Sequence, residues 1–259
     1  MIDIHNHIIY ACDDGSQSLD QSIRMIKAAK EAGITAICFS PHYMEDGYKT
    51  EREVLLQKVE DIRGRLAEEK IEMELYLGEE VFIFPDLPEH LDSVVCLNDS
   101  KYILFEIPLM EEISYIDDVV YRLFTLGKVP ILAHPERYLA TAKDFSFVEK
   151  LHEKGVLLQI NINSLAGHYG KDAKKLAIRL LKQNMVQFVG SDAHSSASYH
   201  SLPGSMEILK KLVSEEKIRQ ITEENPRKVL LDQDIEIEEF AIEKKHRNRL
   251  FSKLWKKVR

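Results

Sequence analysis

Short apolar runs rich in β-branched residues alternate along the chain with longer stretches of helical period, and no other feature constrains the fold as much. Seven runs read as strands, at residues 2–4, 36–40, 74–77, 102–106, 129–133, 157–160 and 186–189. Between them, residues 19–32, 51–69, 116–126, 145–154 and 171–183 place apolar side chains at helical spacing, and helices are expected again near 205–214 and 217–223. Ser18 and Gln21 make a capping box ahead of the first helix. Gly33, Gly127 and Gly155 stand where a helix closes before the next strand. Strands separated by helices pair in parallel through right-handed crossovers. The expected class is α/β, a barrel-like fold of seven strand–helix units, with an open doubly wound sheet as second choice. The glycine-rich dinucleotide and P-loop signatures are both absent, which counts against nucleotide-binding forms of the second.

Composition narrows the field. At 259 residues the chain makes one large domain or two small ones. Its 43 acidic against 35 basic side chains give a net charge of −8, which argues against a protein that coats nucleic acid. No apolar run is long enough to span a membrane, and the N-terminus has neither the basic nor the apolar region of a secretory signal, so a cytoplasmic protein is expected. Cys12, Cys38 and Cys96 are odd in number and widely spaced, which argues against a disulfide framework or a four-cysteine zinc site. A thiolate phosphatase needs an arginine six residues beyond its cysteine; Ser18, Met44 and Tyr102 occupy those positions.

Barrel enzymes place their chemistry where the strands end. The first strand runs into His5-Asn6-His7, the second into Ser40-Pro41-His42 and the third into Gly78-Glu79-Glu80. The fourth ends at Glu106, the fifth runs into His134-Pro135-Glu136-Arg137 and the seventh into Ser191-Asp192-Ala193-His194. Only the sixth, ending in Asn161-Ile162-Asn163, delivers no His, Asp or Glu. Each piece alone has an ordinary structural explanation: a rim histidine, a salt-bridge carboxylate, a helix cap. Such roles do not gather metal-binding residue types at the same end of six strands.

The set His5, His7, His42, Glu80, Glu106, His134, Asp192 and His194 exceeds what one tetrahedral ion can use, so two or three divalent ions are expected. Imidazole with carboxylate and no sulfur suits manganese, iron or zinc. Clustered divalent ions activate water at neutral pH and clamp both oxygens of a displacement at phosphorus, which makes phosphoester hydrolysis the natural reaction. Arg137 either reaches the same mouth and forks onto phosphate oxygens or pairs at the surface with Glu136. The Asp13-Asp14-Gly15 segment reads first as a turn with glycine at positive φ, and second as a lid that orders water through Asp14.

His5-Asn6-His7, Ser40-Pro41-His42, Ala133-His134-Pro135-Glu136-Arg137 and Ser191-Asp192-Ala193-His194 together resemble the motifs of the polymerase and histidinol phosphatase (PHP) superfamily. The opening residues 2–7, Asp13-Asp14-Gly15 and the stretch from Gly33 to Tyr43 narrow the resemblance to bacterial manganese-dependent protein tyrosine phosphatases of capsule and exopolysaccharide clusters. It covers residues 1 to about 231. It implies a distorted TIM-like barrel with a three-metal site, and carries over to the same eight ligands, with Glu80 rather than Glu79 as a bridging carboxylate. It makes Arg137 a phosphate-binding arginine, and Arg137, His42 and Asp192 are the expected catalytic residues. The implied substrate is phosphotyrosine on the tail of a membrane-associated bacterial tyrosine autokinase. One position departs: Tyr199 stands where the family commonly has a second arginine, so either the neighbouring His200 shares the phosphate contact or substrate preference differs.

The last twenty residues differ from the rest. Residues 240–259 hold eight basic side chains and one acidic, so the remainder of the chain carries −15. Leu250, Phe251, Leu254, Trp255 and Val258 fall on one helical stripe. A basic amphipathic helix of this kind fits an anionic membrane surface; packing on its own barrel or on a neighbouring subunit of a homo-oligomer is the alternative, and nucleic-acid binding, with no aromatic platform or reader motif, a weaker third. Residues 232–239 read as an acidic, solvated linker. Besides the tyrosine phosphatase, two other functions fit the chain. One is a small-molecule phosphoesterase such as a histidinol-phosphate phosphatase, and the other a metal-stabilised regulator that binds a kinase without turnover.

Overall fold

A computed structural model describes residues 1–236. The expected strands are all present: β1 (Ile2–Asp3), β2 (Ala36–Phe39), β4 (Glu74–Leu77), β6 (Tyr102–Glu106), β7 (Val129–Ala133), β8 (Leu157–Asn161) and β9 (Phe188–Gly190). Two short strands were not anticipated, β3 (His42–Tyr43) and β5 (Glu80–Phe82). They continue β2 and β4 after interruptions at Ser40-Pro41 and Gly78-Glu79. Pro41 has no N–H to give to a ladder. A Cβ on Gly78 would stand 2.7 Å from Leu97 Cδ2, so only glycine passes there.

All pairings are parallel, in two sheets of order β1-β2-β4 and β3-β5-β6-β7-β8-β9 rather than one seven-stranded sheet. The Gly78 amide donates to the Phe39 carbonyl at 2.8 Å and the Glu80 amide to the Pro41 carbonyl at 3.0 Å, carrying pairing across the break. At the other margin a single parallel bridge joins Asn6 to Ala193. There the Asp192 amide donates to the His5 carbonyl at 2.8 Å and the His7 amide to that of Ala193 at 3.0 Å.

The strands alternate between two apolar clusters, as their period of two requires. Ile2, Ile4, Ala36, Cys38, Tyr102, Leu104, Ile131, Ala133, Leu157 and Phe188 share one cluster. Ile37, Phe39, Ile103, Phe105, Leu132, Leu158 and Val189 belong to the other, with the helices. Five helices stand where expected, α1 (Leu19–Glu31), α2 (Arg52–Glu68), α3 (Ile116–Thr125), α5 (Ser146–Glu153) and α6 (Lys171–Lys182), and a short one that was not anticipated, α4 (Leu139–Lys143), precedes α5. Ser18 Oγ accepts from the Gln21 amide, but the Gln21 side chain answers at Gln17 rather than at Ser18. Gly33, Gly127 and Gly155 have φ of +90°, +73° and +99°, the left-handed closure that glycine favours.

The C-terminal part departs more. α7 (Ser196–His200) and α8 (Leu202–Leu212) come first, and α9 (Glu215–Arg219) runs through a wide turn into α10 (Asn225–Leu230). Val229 and Leu230 of α10 complete the strand-side cluster of Ile2 and Tyr102. The opening of the expected linker is tied down: Tyr102 donates to the Gln233 carbonyl at 2.6 Å and Lys101 pairs with Asp234 at 2.6 Å. The basic stretch 240–259 lies outside the described residues. Among those described, no helix is long and apolar enough to cross a membrane. All three cysteines are free and buried.

Candidate metal centre

Eight side chains expected at the strand ends meet in one place. Ligand atoms of His5, His134 and Asp192 lie within 4.8 Å of one another, as do those of His5, His7 and Glu80, and those of His42, Glu80 and Glu106. A fourth group joins His7, His42 and His194 to Asp14. The groups overlap at His5, His7, His42 and Glu80, so several ions would share ligands. The floor, made of His5, Glu80, His134 and Asp192, is buried, whereas the rim opens through His194 and Asp14, whose side chains are 35% and 53% exposed.

The donor set fits divalent ions on one observation of this structure. His5 Nε2, His7 Nε2, His42 Nδ1, Glu80 Oε2 and Asp192 Oδ1 are buried and take part in no hydrogen bond. Imidazole nitrogens and carboxylate oxygens among them approach one another at 3.2–3.5 Å without aligning. Buried polar atoms without partners are costly. Five of them converging is what ligands to cations look like.

The remaining ring nitrogens are held from behind. His5 Nδ1 donates to Gln159 Oε1 at 2.6 Å, His7 Nδ1 to Asp13 Oδ2 at 2.7 Å and His194 Nδ1 to the Asp192 carbonyl at 3.1 Å. In the neutral ring each bond keeps the one proton on Nδ1, so that Nε2 is the nitrogen left for a cation. Asp192 is divided in the same way. Its Oδ2 accepts from Asn161 and Arg137, both at 2.6 Å, and its Oδ1 faces His5 and His7. His134 and Asp192 have φ of +34° and +49°, a left-handed backbone that costs energy in a residue with a Cβ and concentrates at functional sites. At Gly190 a Cβ would lie 2.8 Å from that of His5 and 2.7 Å from the Gln159 amide, so glycine there admits the His5–Gln159 pair.

Several expectations are sharpened. Glu79 is turned away: its Oε2 accepts from the Val95 amide at 2.7 Å, and burial pushes its pKa up to about 8. Arg137 pairs with Asp192 and not with Glu136, which accepts from the Asn161 amide and the Ser164 hydroxyl. Tyr199 is buried, and its hydroxyl donates to Asp3 Oδ2 at 2.8 Å, away from the rim. His200 ends α7, is exposed, and does not join the cluster among the described residues.

Asp13-Asp14-Gly15 is a turn, with Asp13 Oδ1 accepting from the Gly15 amide at 2.9 Å. Gly15 is needed there for space and not for positive φ: a Cβ would stand 2.1 Å from the His7 carbonyl oxygen. Sequence reasoning missed Asp13 as the support of His7, Asp14 as a member of the outer ligand group, and Gln159 and Asn161 behind the floor. A signal for the last two existed: polar residues two apart at the end of an otherwise apolar strand share one face.

Asp13 therefore carries a testable load. Burial works to raise its pKa, but its bonds with His7 and the backbone amides of Gly15 and His42 hold it below the ordinary range. In Asp13→Asn an amide NH₂ facing His7 drives the imidazole proton onto Nε2, where the lone pair is needed. Manganese affinity measured by calorimetry on chelator-stripped protein is expected to fall about 10–100-fold, with the circular dichroism spectrum unchanged.

Parallel β/α units with an imidazole and carboxylate centre on the strand-end rim define a metal-dependent hydrolase. The chain belongs to the capsular polysaccharide synthesis family CpsB/CapC, whose family model matches residues 1–231. It is 38% identical over 197 residues to the tyrosine-protein phosphatase YwqE of Bacillus subtilis, covering 75% of this chain and 78% of that one. It is 28% identical over 241 residues to the tyrosine-protein phosphatase CpsB of Streptococcus pneumoniae, covering 90% and 99%. A solved structure from work on these two proteins, metal-dependent tyrosine phosphatases, matches with a TM-score of 0.86 and 34% identity over 93% of this chain and 98% of that one. The histidinol phosphate phosphatase of Lactococcus lactis shares the fold, with a TM-score of 0.51 and 16% identity over 82% and 93%.

Proposed function

We propose that the protein is a metal-dependent protein-tyrosine phosphatase acting on the tyrosine-rich tail of a bacterial tyrosine autokinase that regulates capsule or exopolysaccharide synthesis. The observation that carries this reading is the convergence of five unpartnered buried ligand atoms next to one arginine. Family membership and the names of the relatives support it. Residues 1–231 are read as the catalytic unit, a distorted (β/α)₇ barrel of the PHP type. His5, His7, His42, Glu80, Glu106, His134, Asp192 and His194 are its ligands, and Asp14 completes the outer group. Manganese is the expected ion, and iron or zinc fits the same donors. When bound, such ions supply an activated water at neutral pH and positive charge for the phosphoryl oxygens.

The chain's own residues orient the substrate. Arg137 spends one terminal nitrogen on Asp192, and its side chain is 23% exposed, so its other donors are available to phosphate oxygens at the mouth. His42, half-buried, turns Nδ1 to Glu80 and Glu106 and Nε2 towards Asp14, and so spans inner and outer groups. A tyrosyl oxygen, with a pKa of about 10, leaves more readily than the alkoxide of histidinol. Contact of residues 240–259 with an anionic membrane, near a membrane-associated kinase, belongs to the same reading.

With manganese, a phosphotyrosine peptide is expected to be hydrolysed with higher kcat/KM than histidinol phosphate, and Arg137→Ala to lower the peptide value about 10²-fold. Better turnover of histidinol phosphate would make the protein a small-molecule phosphoesterase. Retained metal with no hydrolysis of either would make it a binding regulator.

A further inference from the structure

We propose that Tyr169 is a positioning residue that fixes the guanidinium plane of Arg137 for phosphate; the inference rests on the phosphatase reading above. Arg137 Cζ stands 4.5 Å from the centroid of the Tyr169 ring. The other anchor of that guanidinium is Nη1 on Asp192 Oδ2 at 2.6 Å. Held at one nitrogen alone, a guanidinium swings about that bond, and its remaining donors sweep the mouth. A ring lying against it removes that freedom and leaves the outer edge aimed at the site. The Tyr169 hydroxyl lies 3.4 Å from Asp192 Oδ2, long for a hydroxyl bond, and that oxygen already accepts from Arg137 and Asn161. The ring and not the hydroxyl is therefore the working part.

The loop holds this ring in place by its own geometry. Gly167 and Gly170, at φ of +92° and +94°, bracket His168 and Tyr169 in left-handed turns that favour glycine. The Gly167 amide donates to Ser164, that of His168 to Asn163 and that of Gly170 to Gly167, each at 2.9–3.2 Å. Tyr169 is half-buried and belongs to neither apolar cluster, so its place is not explained by core packing.

The test uses the manganese-loaded full chain, with inorganic phosphate as probe by calorimetry and p-nitrophenyl phosphate for kinetics. Tyr169→Ala and Tyr169→Leu are expected to weaken inorganic phosphate about tenfold and to raise KM more than they lower kcat. Manganese affinity should stay at the wild-type value, and Tyr169→Phe should recover most of the loss. In an Arg137→Ala background, Tyr169→Ala should add nothing further. Additive losses in that double variant, a Phe variant as impaired as Ala, or unchanged phosphate binding in Ala and Leu would each overturn the proposal. If the coupling appears in phosphate binding while the wild-type protein hydrolyses no phosphoester, the positioning role stands and the phosphatase reading falls.

Discussion

Glu80→Gln is expected to lower kcat/KM for an aryl phosphate by at least about a thousandfold while the protein stays folded. Glu80 is where the cluster meets. Its Oε1 lies 3.1 Å from both His5 Nε2 and His134 Nε2, and its Oε2 lies 3.4 Å from His7 Nε2 and 3.2 Å from His42 Nδ1. Four imidazoles from three strand ends thus surround one carboxylate, which takes part in two of the four ligand groups. Glutamine keeps the shape but turns one ligating oxygen into a donor and removes a negative charge from a fully buried position. The charge stabilisation that bound ions give a phosphoryl transition state is worth several kcal/mol, and each 1.36 kcal/mol is about tenfold in rate. Kinetics at saturating manganese, with metal content read on the same samples, measure the effect. Activity within tenfold of wild type would remove Glu80 from the centre. Glu79→Gln is the control, since that side chain serves the Val95 amide and its loss should register in the melting temperature alone.

All eight proposed ligands were legible in the sequence because parallel strands deliver their chemistry at one end, and strand ends can be found from local pattern. Glu106, for example, ends β6, and His134 directly follows β7. Which supporting residue serves which ligand was not legible, because the partner comes from across the chain. His5 and Gln159 are 154 residues apart, and Arg137 and Asp192 are 55 apart. No local period encodes such a pair. Asp13 shows a second reason: one carboxylate serves as a turn residue for Gly15 and as the acceptor for His7, and the first role hides the second. The strand breaks at Pro41 and Gly78 were visible as residues. Their consequence, two sheets in place of one, follows from a register that hydrophobic pattern does not specify.

Raising the pH from 6 to 8 is expected to tighten manganese binding by at least about a thousandfold, because the ligand histidines start out protonated. In protein stripped of divalent ions, burial works to lower the pKa of His5, but Glu80 and Asp192 outweigh it and carry it up to about 9. His7, also opposed by burial, is carried well above its ordinary 6.5 by Asp13, Asp192 and Glu80, and His42 is raised by Glu106 and Glu80. Only a neutral imidazole ligates a cation, so each such histidine releases a proton on binding, and each proton makes the affinity about tenfold stronger per pH unit. The stability of the stripped protein runs the other way. A histidine raised on folding contributes in full below its unfolded value of 6.5, and for His5 that contribution is lost as pH climbs through about 9. The melting temperature of stripped protein should therefore fall across this window while the increment given by a fixed manganese concentration widens. Calorimetric titration and thermal melts at pH 6, 7, 8 and 9 measure both trends. An affinity that does not change with pH would mean that these histidines do not bind the ions. The opposite slopes tie the cost of the buried charges to the cations they await: the same carboxylates that hold protons on His5, His7 and His42 in stripped protein hold the metal once those protons leave.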